Sequence, residues 1–171
     1  MRKYIYLSVL VAAALALSLL EMAIPLPFIA PGAKLGLSNM VILVCLIIFG
    51  FKDAMLVAVM KSVVLMLVTG SVTGMIYSLA GAVLSVLVMH LAYTKLSKFL
   101  SLIGVSILGA TAHNFAQISV AAMVMQNIKM YNYLPILLIT GIFTGYFVGM
   151  SSNYISKHLL KIGLMDKMRR E

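Results

Sequence analysis

Residues 4–24 read YIYLSVLVAAALALSLLEMAI, twenty-one residues whose only charged side chain is Glu21, near the far end. A helix of about 20 apolar residues crosses the hydrocarbon core of a bilayer, about 30 Å thick. Arg2 and Lys3 precede the run, and Ala14-Leu15-Ala16 resembles a signal-peptidase site. The apolar character continues past that site to Ile24, so the run reads as a retained first span rather than a leader.

The rest of the chain repeats this pattern. Of 171 residues, 63% are hydrophobic and 10% charged, and the mean hydropathy is +1.12. A soluble domain of this size needs a mostly polar surface and has too few polar residues to make one. The apolar runs are continuous and do not alternate with period two, which favours helices over a barrel. Further spans fall at about 37–51, 54–69, 75–93, 102–126 and 133–155. Together they predict an all-α, polytopic bundle of six transmembrane helices forming one integral membrane domain over 1–171. The stretch 25–36, PLPFIAPGAKLG, holds three of the four prolines and reads as an apolar loop folded back on the bundle. Residues 156–171 form a polar tail.

Basic residues sit at the ends of the runs. With the N-terminus in the cytoplasm, Arg2, Lys3, Lys52, Lys95, Lys98, Lys157, Lys161, Lys167, Arg169 and Arg170 fall inside, and Lys34 and Lys129 outside. This asymmetry implies both termini inside and an even number of spans. It also accounts for the net charge of +9 without a nucleic-acid partner, since the charges are not collected on any soluble domain. The plasma membrane is the expected location.

Small residues at helical spacing mark close helix contacts: Gly141, Gly145 and Gly149 on the last span, and Gly70, Gly74, Ser78 and Ala82 on an earlier one. Packing within the chain is the expected use, ahead of a dimer face. Cys45, the single cysteine, lies in an apolar run and reads as a packing residue.

Polar groups inside membrane segments need a reason to be there. Lys61 lies mid-run and reads as facing a cavity rather than snorkelling. His113, Asn114 and Gln117 form a polar stripe on the fifth run, with His113 and Gln117 on one face. Interhelical hydrogen bonding would explain one such group, while three point to a ligand site. Glu21 closes the first span; Lys34 and Asn39 flank the end of the loop. Enzyme signatures are missing. The four acidic residues are Glu21, Asp53, Asp166 and Glu171, and no two are spaced to hold Mg²⁺ for pyrophosphate chemistry. No P-loop, GxSxG or HExxH occurs, and no histidine has a second ligand at metal spacing. The reading is a non-enzyme without metal or cofactor, unable to hydrolyse ATP by itself.

The stretches EMAIPLP (21–27), PGAKLGLSN (31–39), SLAG (78–81) and GVSILGATAHNFAQ (104–117), with Leu134-Pro135 and the Gly141/Gly145/Gly149 run, resemble the Gx transporter family, also catalogued as heptaprenyl diphosphate synthase component I. Lys61 stands where that family's pattern favours arginine. It keeps the charge and loses the bidentate fork. The family is similar to the substrate-binding S-components of energy-coupling-factor (ECF) vitamin transporters. The resemblance implies six helices with cytoplasmic termini and a first loop that lids an outward-facing site. Lys34, Asn39, Lys61, Ser78, His113, Asn114 and Gln117 would then bind a small polar or anionic solute, with Glu21, Pro31, Gly32 and Gly36 at the lid. Ala12 and Ala16 resemble the alanine motif that docks a membrane T-component, the partner linking such proteins to ATPase subunits. The second family name implies the alternative, a non-catalytic membrane accessory of a heptaprenyl or polyprenyl diphosphate synthase. Cysteines placed in turn beside Lys129 and Lys95, in a chain lacking Cys45, check the topology. Labelling from outside should reach the first and spare the second, and the reverse pattern would refute both-termini-inside.

Overall fold

A computed structural model describes residues 2–23 and 36–161. Positions 24–35, with Pro31, Gly32 and Lys34, and the tail beyond 161 lie outside the described residues. Every described element is helical: α1 (Arg2–Ala23), α2 (Asn39–Phe49), α3 (Phe51–Thr69), α4 (Val72–Lys95), α5 (Leu102–Val124), a 3₁₀ turn (Ile128–Tyr133) and α6 (Leu134–Lys161).

Helix boundaries follow local chemistry. Ser71 and Ser101 cap α4 and α5 by accepting from the backbone N–H groups of Gly74 (3.0 Å) and Gly104 (3.4 Å). The first cap starts α4 at Val72, three residues before the span expected from hydropathy. Gly50, at φ +90°, separates α2 from α3, and Gly70, at φ +67°, ends α3 in the left-handed conformation that glycine allows. The break therefore falls before Lys52-Asp53, which belong to the first turn of α3. There Asp53 favours the helix dipole and pairs with Lys3 of α1 at 2.9 Å. At the other end α6 runs on to Lys161, so Ser156 and Lys157, expected in a polar tail, are helical.

Four segments are long and apolar enough to cross a membrane: α1, α4, α5 and the stretch from Ile128 to Lys161. α3 has 19 residues but carries Lys52, Asp53 and Lys61. α2, with 11 residues, rises only about 16 Å, roughly half the hydrocarbon thickness. It starts inside the bundle: Leu37, just before it, meets Glu21 near the end of α1, and Met40 meets Ser152 of α6. It then returns the chain to the end of α1 where Lys3 meets Asp53.

α5 is the central helix, with α4 and α6 packed along it. On the α6 side, Cβ atoms added at Gly145 and Gly149 would lie 2.7 Å from the Cα atoms of Ile107 and Ile103. Rising numbers on α6 meet falling numbers on α5, so the two helices are antiparallel. The double GxxxG thus packs within the chain. The second stripe divides. Ser78 and Ala82 are buried, whereas a Cβ at Gly70 meets nothing and one at Gly74 meets only its own cap, Ser71. One apolar core joins Leu7, Ile42, Leu43, Val57, Val86 and Val105, from α1 through α5. Outside it, Leu67, Met123, Phe143 and Tyr154 are largely exposed, an exterior suited to lipid.

Gly145→Leu should lower stability in detergent by about 2 kcal/mol or more, because the contact it meets is backbone and cannot move aside alone. Phe147→Leu, on the exposed face of the same helix, should change it little. Equal thermal unfolding of the two variants would count against the α5–α6 contact.

Candidate functional site

The turn at 36–38 and the start of α2 form the centre of the site. Gly36 is buried at φ +81°, and a Cβ there would lie 3.0 Å from Asn39 Nδ2 and 3.7 Å from His113 Cδ2. Tight bonds close the turn: Asn39 N–H donates to Gly36 O (2.9 Å) and Met40 N–H to Leu37 O (3.0 Å). Ser38, the N-cap residue, makes no side-chain cap bond. Its hydroxyl instead accepts from Lys61 Nζ at 3.1 Å.

Lys61 is 1% exposed and heads the fully buried side chains by volume. It points into the bundle from the middle of α3. From α1, the Glu21 carboxylate accepts the Leu37 N–H, and Glu21 is 6% exposed. A carboxylate and an ammonium from two helices are thus held on adjacent residues of one turn. The carboxylate lies at the positive end of α2. Isolated, either charge would cost several kcal/mol in this environment.

Next to Lys61, Ser62 donates to Ala58 O (3.0 Å) and meets Ser78 Oγ at 3.0 Å. Since the single hydroxyl proton of Ser62 is used on the carbonyl, Ser78 donates across from α4. His113 reaches the turn from α5. Its ring lies over Gly81 of α4, where an added Cβ would approach Cε1 to 2.7 Å. Gly81 is therefore the space the imidazole occupies.

The α5 stripe is divided in its roles. Asn114 donates from Nδ2 to Leu137 O of α6 at 2.6 Å, beside Gly141. That half of its amide holds two helices together, the interhelical bond weighed against a ligand role. Its Oδ1 is buried with no hydrogen-bond partner among the described residues. Gln117 is buried one turn further along. Asn39 differs from both: it is 2% exposed, and neither amide atom has a hydrogen-bond partner among the described residues. Buried polar groups are rarely left so, and this amide lies beside the turn that Lys61 holds.

The geometry thus brings Glu21, Gly36, Asn39, Lys61 and His113 to one turn, with Ser78 one hydrogen bond away from Ser62. It adds Ser38, Ser62, Gly81 and the Leu37 N–H, which sequence reading did not assign to the site. Ser38 lay within the PGAKLGLSN stretch, but nothing in the sequence pairs it with a lysine 23 residues away. Among the described residues, no three His, Cys, Asp or Glu gather as metal ligands. The turn brings together an ammonium, an amide, hydroxyls and the Glu21 carboxylate, a set able to hydrogen-bond a polar group.

Two further features lie outside this cluster. Ala12 and Ala16 are exposed on α1, while Ala14 and Ser18 form its buried face. Between α1, α2 and α6 there is a groove of about 430 Å³, lined only by apolar residues.

Neither the curated proteins nor the solved structures give a match. A family model does, over residues 10–155: heptaprenyl diphosphate synthase component I. The match runs from the first span to the last and includes the buried turn and all the polar residues around it, so the chain belongs to that family.

Proposed function

We propose that this chain is the substrate-binding membrane component of an ECF-type transporter. It would capture a small polar or anionic solute from outside the plasma membrane, and a T-component with ATPase subunits would drive uptake. The observation that carries this reading is the buried start of α2, where Ser38 accepts from Lys61 and the adjacent Asn39 amide has no hydrogen-bond partner among the described residues. A half-length helix whose N-terminus lies inside a bundle is a device by which membrane transporters hold anionic groups. Six crossings with both termini cytoplasmic, α2 counted as one, agree with the charge asymmetry and with the antiparallel packing of α5 and α6.

The family description also keeps a synthase accessory in view. Glu21 and Asp53, the acidic residues among those described, mark opposite ends of α1. They form no paired carboxylate site for Mg²⁺ and pyrophosphate. That reading therefore means a non-catalytic subunit. Affinity purification separates the two: retention of an Asp-rich prenyltransferase favours it, and retention of ATPase and T-component subunits favours transport.

Lys61→Met should weaken binding of an anionic solute by about 2 kcal/mol, through loss of a charge-assisted hydrogen bond in a low-dielectric site. Asn39→Ala should weaken binding with thermal stability unchanged or raised, because it removes a buried amide that lacks partners among the described residues. Asn114→Ala should lower stability, because it breaks the bond to α6. If Asn39→Ala leaves affinity intact, the turn is not the site. In transport assays, Ala12→Leu should abolish uptake while leaving solute binding unaltered, since bulk on that exposed face separates two helix backbones. Ala12 is the cleaner test position because Ala16 also lines the apolar groove. Unimpaired uptake by Ala12→Leu would remove the docking role from α1.

A further inference from the structure

The apolar groove and the polar turn share the first turn of α2. Met40 lines the groove and follows Asn39 directly; its carbonyl accepts from Ser152 of α6 at 3.2 Å, which ties the groove's two walls together. On α1, the groove begins at Leu17, one helical turn from Glu21, whose carboxylate holds Leu37. At 1.5 Å per residue, it starts about 6 Å along α1 from Glu21 and continues for about 10 Å to Leu10. Val44 and Ile155 line it from α2 and α6.

A groove of this size is within the range of small-molecule sites, about 300–1,000 Å³. Its lining offers water no hydrogen bonds, so hydrocarbon is its natural filling. A wholly polar solute on the turn would leave it unused. We infer that the ligand is a single-chain anionic amphiphile, with its head at the Gly36–Asn39 turn beside Lys61 and its apolar chain in the groove between α1, α2 and α6. This inference rests on the proposed solute site and specifies what that site binds. Head and chain are read by consecutive residues, Asn39 and Met40, so α2 sets the distance between them.

Full-length protein in nanodiscs tests this with dodecyl phosphate carrying a diazirine at the chain end, with labelled residues mapped by mass spectrometry. Label should concentrate on the 10–17, 40–44 and 155–159 stretches. It should fall at least tenfold in Lys61→Met, which removes the head contact. It should fall similarly in Ala13→Phe, which fills the groove from an exposed position, with unfolding temperature checked in both. Excess unlabelled dodecyl phosphate should block labelling, and butyl phosphate should block it less well. Label spread over lipid-facing residues such as Phe143, and unchanged by Lys61→Met, would mean that the groove holds bilayer lipid, and would overturn the inference. Equal competition by dioleoyl phosphatidic acid would overturn the single-chain reading. If butyl phosphate competes as well as dodecyl phosphate and label misses the groove, the chain is not recognised, although the polar site stands. If butyl phosphate and the probe both fail to bind, the polar site falls as well.

Discussion

Lys61 imposes the main constraint on this bundle. A buried ammonium near the middle of a helix is stable only if polar groups come to meet it. One group that meets it is the hydroxyl of Ser38, on the 36–38 turn. For that turn to lie at the depth of Lys61, α2 must begin inside the bundle and be short. The half-length of α2 and the placement of Lys61 are thus one structural fact. The turn in turn needs its exposed donors satisfied. Glu21 supplies a carboxylate for Leu37, which fixes the far end of α1 against α2, while Lys3 and Asp53 fix the near end.

The glycines do the complementary work on the other side. Close approach of α6 to α5 through Gly141, Gly145 and Gly149, and of α4 to α5 through Gly81, holds α5 between its neighbours. Lipid tails are as apolar as leucine, so burial alone supplies little drive for helices to associate. Tight van der Waals contact and a few hydrogen bonds must suffice. The bond from Asn114 to Leu137 is one of these, made where Gly141 lets the amide in. With α5 so fixed, His113 is fixed too, over Gly81 and beside Gly36.

Much of this was legible in the sequence because it depends on single residues that are costly in a membrane. Lys61, His113 and Asn39 announce themselves by their chemistry, and the GxxxG run by its period. Other features depend on geometry that no local pattern encodes. The apolar run through 37–51 does not show that its helix begins within the bundle, since hydropathy measures composition and not depth. The break at Gly50 was hidden by the charges of Lys52 and Asp53, which look like the end of a span and instead open the next helix. The stripe on α5 was read as one set, yet Asn114 spends half its amide on α6, because helix periodicity places residues on a face without saying what that face meets. Ser62 carries no signal of its own, serine being common in membrane helices as a bond to its own backbone, and nothing local pairs Ser38 with Lys61.

Asn39 is the residue for which the proposed binding role and a purely structural role make different demands. Its neighbours all have uses within the fold: Gly36 gives the turn its φ, Ser38 accepts from Lys61, and the carbonyl of Met40 accepts from Ser152. The Asn39 side chain, equally buried, meets no hydrogen-bonding group among the described residues. A leucine or alanine there would avoid a desolvation cost of about 1–3 kcal/mol. A protein whose only task was to hold six helices together would gain from that exchange. On the proposed reading, a ligand that completes these hydrogen bonds offsets that cost, on the same turn where the neighbouring Ser38 accepts from Lys61.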